Sequence, residues 1–144
     1  MENTEKTSYL EPTQESGRAF VTRGIAGLVV MLNLLRFRDV ADYSATPELA
    51  PAEGISGEQA FRLYVAHTMP YLEASGGELV FFGKGGHFLI GPTEERWDAV
   101  MLVRQRSVSD FVAFASNTEY LQGMGHRTAA LEDSRLLPIV EEGA

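Results

Sequence analysis

Two segments of the chain are apolar on both of their alternating faces. Residues 28–37 follow Gly27 and start with β-branched side chains, which favours a strand over a helix. One face of this strand carries Val30, Leu32 and Leu34; the other carries Val29, Met31, Leu35 and Phe37. Residues 97–105 repeat the pattern. Because a strand with two apolar faces needs cover on both, the pattern predicts a sheet buried on each side.

The rest of the pattern supplies the other elements. Ser56 and Gln59 form a capping box that predicts a helix ending at Gly76, and Ser107 is the N-cap of another. A short helix is expected from residue 117 or 118, and further strands at 78–83 and 135–139. A turn is expected at residues 83–86. Beyond it, residues 87–90 either extend the strand at 78–83 or form a separate strand that follows it. Pro138 places the last strand at a sheet edge or at its own end.

The resulting order, β-α-β-β-α-β, predicts an α+β domain of the ferredoxin-like type. Its sheet would be four-stranded and antiparallel, with both helices on one face. The other face would be bare in a monomer. Because it is apolar, a second copy of the sheet is its natural cover, which gives a homodimer in the form of a dimeric α/β barrel.

The domain is expected to span residues 25–144, with a long polar loop at 38–55 of the kind that is often a functional lid or disordered. Residues 1–24 form a polar N-terminal segment. It is expected to be loose up to about residue 12 and then helical from Thr13 to about Arg23.

The charge and composition of the chain limit the kinds of partner it is expected to bind. The chain has 144 residues, a net charge of -8 and no cysteine, and its 12 basic residues are spread along it. Nucleic acid is not expected as a partner, because such binding needs clustered Lys and Arg. No apolar run approaches the ~20 residues of a membrane span, and the start lacks a secretory pattern. A cytoplasmic location without membrane contact is therefore expected.

Several segments resemble bacterial proteins of the "domain of unknown function 1330" group. They lie, in order, at residues 31–37, 70–72, 76–79, 97–102, 107, 117–120 and 127. The similarity covers roughly residues 28–140. It implies a ferredoxin-like fold and a dimeric barrel, and it implies no reaction. The loop at 38–55 is longer than in the shorter members.

Asn33 is the most informative polar residue, because it interrupts an otherwise apolar strand. A buried amide without partners costs about 1–3 kcal/mol, so something must bond to it. That partner is either neighbouring backbone or water, or a ligand that the amide orients. The sequence does not say on which face of the sheet Asn33 lies.

His67 and Tyr71 meet at i and i+4 on the first long helix, beside its apolar face. The imidazole is either structural or a general acid–base group. Trp97 and Tyr120 are either aromatic core or the wall of a pocket, and Arg127 is available for a carboxylate. His67 and Asn33 are thus the catalytic candidates, and Tyr71, Trp97, Tyr120 and Arg127 the substrate-binding ones.

Other chemistries are not indicated. The three histidines have no metal-ligand spacing, and residues 83–86 lack the Ser or Thr that follows the lysine of a P-loop. No cofactor is expected. The pairing of Asn33 with Trp97 is similar to that of antibiotic-biosynthesis and haem-degrading monooxygenases. Residues 107–116 contain no histidine, however, which argues against haem degradation.

Three hypotheses follow. The first is a small-molecule-binding dimeric barrel, either a binding protein or a cofactor-independent enzyme for an apolar or aromatic compound, with the six candidates around one pocket. The second is a non-catalytic module whose apolar sheet face serves only assembly. The third is a monooxygenase-like or haem-handling enzyme.

Overall fold

The computed structural model describes residues 7–142. It has four strands, β1 (Val29–Phe37), β2 (Glu78–His87), β3 (Arg96–Gln105) and β4 (Leu131–Ile139), and five helices, α1 (Gln14–Thr22), α2 (Gly57–Ala74), α3 (Val108–Ala115), α4 (Thr118–Leu121) and α5 (Met124–Ala130). A 3₁₀ turn, Pro47–Leu49, lies between β1 and α2. The predicted β-α-β-β-α-β order is present, with α1 preceding it.

The four strands form one antiparallel sheet in the order β2-β3-β1-β4, with β1 and β3 in the centre. Residue Leu32 of β1 stands opposite Leu102 of β3 and Leu137 of β4. This strand order is that of the ferredoxin-like arrangement, and it confirms the predicted α+β class. Pro138 lies near the end of the edge strand β4, where a missing N–H costs the ladder little.

Helices cover one face of the sheet and form the core with it. Their ends are specified locally: Ser56 and Gln59 close a capping box at α2, and Ser107 accepts a hydrogen bond from the Asp110 N–H at the start of α3. The buried apolar cluster between the layers comprises Leu35, Ala60, Phe61, Tyr64, Leu72, Ala99, Phe114, Tyr120, Ala130 and Leu131.

Within residues 7–142 no helix covers the opposite face, which we call the open face. Residues directly paired across an antiparallel sheet point to the same side, so the register assigns its members. Its apolar side chains are Val30, Leu32, Leu34, Phe81, Val100, Leu102, Leu137 and Ile139. Phe81 and Leu137 are more than half exposed. The described chain therefore has an apolar sheet face with no cover of its own.

The N-terminal segment is ordered further than its polarity suggested. Residues 1–6 lie outside the described residues, but Ser8 and Tyr9 follow the edge of β4. The Tyr9 N–H donates to Asp133, and the Ser134 hydroxyl donates to the Tyr9 carbonyl. These bonds satisfy groups at the sheet edge, so the prediction of a loose segment up to residue 12 is wrong for these residues. Helix α1 follows with Thr13 as its N-cap.

The loop at 38–55 is tied to the helical layer. Backbone bonds join Arg38 to Ala130, Ala41 to Ile55 and Asp42 to Ala129. The glycine-rich stretch 83–86 also differs from the prediction, because it is part of strand β2 and not a turn. A side chain at Gly85 would overlap the Trp97 carbonyl oxygen, which explains a glycine there.

Candidate functional site

Asn33 lies on the helix side of the sheet. It alternates with Met31 and Leu35, which are buried there, and it is buried itself. Its amide nitrogen donates to the carbonyl oxygens of Met31, at 3.2 Å, and Met101, at 3.4 Å. Of the two alternatives left open by the sequence, the structure therefore provides the backbone partner, and it answers the question of the face.

His67, Tyr71 and Tyr120 are brought together where α2 meets α4. The His67 ring packs on Tyr71 with centroids 5.3 Å apart, and its Nε2 lies 2.9 Å from the Glu119 carbonyl oxygen and 3.2 Å from that of Tyr120. Because a carbonyl oxygen only accepts, Nε2 carries the proton and donates to the end of α4. A side chain at Gly123 would overlap this ring.

The Tyr120 hydroxyl is part of a buried chain of hydrogen bonds. It lies 2.7 Å from the Tyr64 hydroxyl, and it donates to the Met124 sulfur at 3.2 Å. A hydroxyl has one proton, so Tyr64 donates to Tyr120. Burial, and then the neighbouring Tyr64, raise the pKa of Tyr120 far above its usual 10.0, so it stays a neutral hydroxyl.

Arg127 is turned toward the N-terminal segment. Its guanidinium donates to the Leu10 carbonyl oxygen and, at 3.4 Å, to the Ser134 hydroxyl. These contacts tie the segment before α1 to the edge strand. The guanidinium thus has a structural role in the described chain, and neither of its partners is an acid.

Trp97 is separated from the other candidates, because its ring lies on the side of the open face. The guanidinium carbons of Arg36 and Arg135 lie 4.7 and 5.0 Å from its ring centre, and both arginines belong to that side. Its indole N–H donates to Glu95 at 3.0 Å. Trp97 is 2% exposed, although none of the helices in the described part of the chain covers it.

The two arginines have acidic partners of their own. Arg135 lies 2.8 Å from the Asp133 carboxylate, and Arg36 lies 3.7 Å from that of Glu132. Arg36 also donates through two nitrogens to the Arg96 carbonyl oxygen. Both guanidinium groups are therefore compensated, and their cation–π contacts hold the Trp97 ring in place.

A cavity of about 230 Å³ lies beside Trp97 on the open face, and we call it the face pocket. Its walls are Leu34, Gly85, Gly86, His87, Phe88, Trp97 and Val100. His87 is the one ionisable side chain among them, and it is exposed. Its Nδ1 lies 3.1 Å from the Thr93 carbonyl oxygen and donates to it, so Nε2 is the ring nitrogen left to accept a hydrogen bond.

A second cavity of about 520 Å³ opens between the 38–55 loop and the α4–α5 region. Tyr43 attaches the loop to α5, because its hydroxyl lies 2.7 Å from Nδ1 of His126. Burial, and then the nearby His67, lower the pKa of His126 from its usual 6.5. The neutral imidazole therefore accepts the proton of Tyr43, whose own pKa is raised by burial.

Residues 7–142 contain no cluster of three His, Asp or Glu side chains placed to hold a metal ion. Within the same range, no helix combines the length and the apolar character needed to cross a membrane.

Two solved structures are similar to nearly the whole chain. The crystal structure of the RPA0582 protein of unknown function from Rhodopseudomonas palustris is 33% identical, with a TM-score of 0.82 over 96% of this chain and 100% of that one. The crystal structure of methylated RPA0582 protein gives 33% identity and a TM-score of 0.84 over 96% and 98%. The chain belongs to the RPA0582 family.

Another solved structure is much less similar to the chain. A dimeric ferredoxin-like protein of unknown function from Thermobifida fusca is 13% identical, with a TM-score of 0.41 over 81% of this chain and 92% of that one. A likeness at this level carries no argument about assembly or activity. No protein-family model and no curated protein matches the sequence. The resemblance to the 1330 group thus stays a prediction.

Proposed function

We propose that the protein is a homodimer whose open faces pack against each other as a dimeric α/β barrel, and that it binds a small apolar or aromatic molecule in the face pocket. The observation that carries the proposal is the open face itself. Eight apolar side chains from all four strands lie on it, and the face pocket opens among them.

The size of the exposed surface supports a partner. The chain exposes 9498 Å², whereas a compact monomer of 15.8 kDa exposes about 7,300 Å² by the usual scaling with mass. The excess, about 2,200 Å², is in the range that one subunit of an obligate dimer buries. A second copy is the partner that suits this face, because two-fold packing places like apolar patches together.

Charges around the open face favour apolar association and not an acidic or basic partner. Arg104 lies 3.6 Å from Glu78, and Arg135 lies 2.8 Å from Asp133, so positive groups at this rim are neutralised within the chain. At these two positions a partner that covers the face therefore meets paired charges.

The volume and walls of the face pocket indicate the class of ligand. A cavity of 150 Å³ lined by apolar side chains can hold benzene, so 230 Å³ is enough for one aromatic ring with a short substituent. Leu34, Val100 and Phe88 supply apolar walls. His87 supplies one polar group, whose free Nε2 can accept a hydrogen bond from a ligand hydroxyl.

Two adjacent leucines on β4 provide a matched test of the assembly. Leu137 lies on the open face and is 55% exposed, whereas Leu136 lies on the opposite side and is 45% exposed. Leu137→Asp is expected to convert the dimer to a monomer in light scattering, because it buries a carboxylate between the sheets. Leu136→Asp is expected to stay dimeric. Equal behaviour of the two variants would contradict the proposed interface.

Ligand binding can be read at Trp97, because it is the only tryptophan of the chain. Titration with phenol is expected to give a saturable shift of the single indole N–H resonance. Val100→Phe should abolish the shift by filling the face pocket, while Val112→Phe, at an exposed position of α3, should leave it unchanged. A shift that survives Val100→Phe would show that phenol binds elsewhere.

A further inference from the structure

The β2–β3 hairpin extends beyond the rest of the sheet. Pairing between β1 and β3 ends at Leu35 and Ala99, whereas pairing between β2 and β3 continues to His87 and Arg96. Residues 86–96 therefore form an arm beyond the last β1–β3 pair, with the Arg96 carbonyl at its base accepting from Arg36 of β1. We use the name arm for these residues.

The tip of the arm is apolar and has no contact of its own to bury it. Leu89 is 99% exposed and Ile90 is 90% exposed, and both follow the half-exposed Phe88. Consecutive apolar side chains with this exposure are unusual on the surface of a monomer. Full burial of one such side chain is favourable by about 1.5–3 kcal/mol, so a partner surface that covers the tip would gain from it.

The base of the arm shows which surface the tip can meet. Gly86, His87 and Phe88 are walls of the face pocket, so the arm adjoins the open face and not the helical layer. A sheet that covers the open face therefore comes next to the arm. In an isologous dimer the contact occurs twice, with each arm beside the other copy.

We propose that the arm of one copy closes the face pocket of the other, with Leu89 and Ile90 of the partner subunit completing the apolar wall beside Trp97. The inference rests on the proposed homodimer and adds that its binding site is built from two chains. A single copy leaves the pocket open to solvent on the side where Leu34 and Val100 face outward. The partner's arm would supply the missing wall for a single-ring aromatic ligand.

The contact between the arm of one copy and the pocket of the other can be tested with a nitroxide that quenches tryptophan emission. The chain has no cysteine, so one introduced cysteine takes the label at a single site, and its one tryptophan is the only source of the emission. A chain carrying Leu89→Cys and Trp97→Phe is labelled with a nitroxide and refolded from urea with a smaller amount of unlabelled wild-type chain. All tryptophan emission then comes from wild-type subunits, and most of these are in mixed dimers. We expect the label at position 89 to quench this emission.

The control carries the same label at Ala66→Cys, an exposed position of α2 on the helical layer, and should leave the emission unchanged. Native mass spectrometry counts the mixed dimers in both samples. Mixed dimers without quenching from position 89 would overturn the arm contact and leave the dimer intact. A wild-type chain that is monomeric would overturn both the arm contact and the proposed assembly.

A second measurement tests the effect on binding. Combining Leu89→Ser with Ile90→Ser should weaken phenol binding, read at the Trp97 indole, by about tenfold, since apolar contacts to the ligand are lost. The mass in light scattering should remain that of the dimer. Unchanged phenol affinity in a dimeric double variant would show that the arm does not line the site.

Discussion

Tyr64 and Tyr120 give a sharp test of whether the cluster at α2 and α4 is structural or functional. Their hydroxyl oxygens are 2.7 Å apart in the buried core, and the Tyr120 proton is directed at the Met124 sulfur. Tyr120→Phe keeps the ring and its packing on Phe114, with centroids 4.4 Å apart. It removes the acceptor of Tyr64 and leaves a buried donor without a partner.

The magnitudes of the two single variants should differ. Tyr120→Phe is expected to lower the free energy of unfolding by about 1–3 kcal/mol, the cost of a buried hydroxyl left unpaired. Tyr64→Phe should cost about 0.5–1.5 kcal/mol, because Tyr120 keeps its bond to the sulfur. The double variant should lower the free energy of unfolding by about 1 kcal/mol less than the sum of the two single variants, because it leaves no buried hydroxyl without an acceptor.

Urea denaturation followed by Trp97 fluorescence measures these costs, with the protein concentration held fixed because the stability of the proposed dimer depends on it. Strictly additive costs would refute the hydrogen-bond chain. If Tyr120→Phe had wild-type stability but lost phenol binding, Tyr120 would belong to a ligand site, the second of the two alternatives that the sequence left open.

Three further predictions concern single residues. Asn33→Ala removes donation to two strand carbonyls, so we expect a loss of about 1–3 kcal/mol in urea denaturation with the phenol titration unchanged; lost binding at wild-type stability would contradict a structural role. Gly85→Ala would press a methyl group against the Trp97 carbonyl oxygen, so the melting temperature should fall and the Trp97 emission shift to the red; an unaltered spectrum would count against the close approach. His126 has a pKa below its usual 6.5, so the unfolded chain binds more protons between the two values, and acidification through that window should lower the melting temperature. His126→Gln can still accept from Tyr43 and should lose this part of the pH dependence between about pH 7.5 and about pH 5.5; an unchanged profile would place the titrating group elsewhere.

Local signals in the sequence were enough to predict most of the elements. The capping box of Ser56 and Gln59 and the N-cap at Ser107 fix the starts of α2 and α3 through hydrogen bonds within four residues. The two-faced pattern of residues 28–37 predicts a central strand, and β1 lies in the centre of the sheet. Such signals depend on neighbours in the chain and survive folding unchanged.

The candidate site depended on contacts between distant residues, and it was predicted less well. The face of Asn33 was undetermined because both faces of its strand are apolar. Trp97 would share the side of Ala99 if alternation continued, yet its ring lies on the open face. The ladder changes at this point, where the Phe37 N–H donates to the Asp98 carboxylate at 2.8 Å. The six candidates therefore do not surround one pocket.

The glycines of residues 83–86 illustrate the same limit. Their composition is typical of a turn, and the sequence contains no sign that β3 passes close to Gly85. The place of His87 beside the face pocket likewise follows from the length of β2. Only the pairing of β2 with β3 reveals both.

The mass of the wild-type protein in solution tests the central claim most directly. Light scattering at micromolar concentration should give twice the 15.8 kDa of the chain, because the proposed second copy covers the open face. A mass of 15.8 kDa at that concentration would contradict the dimeric barrel, and with it a binding site closed between two sheets.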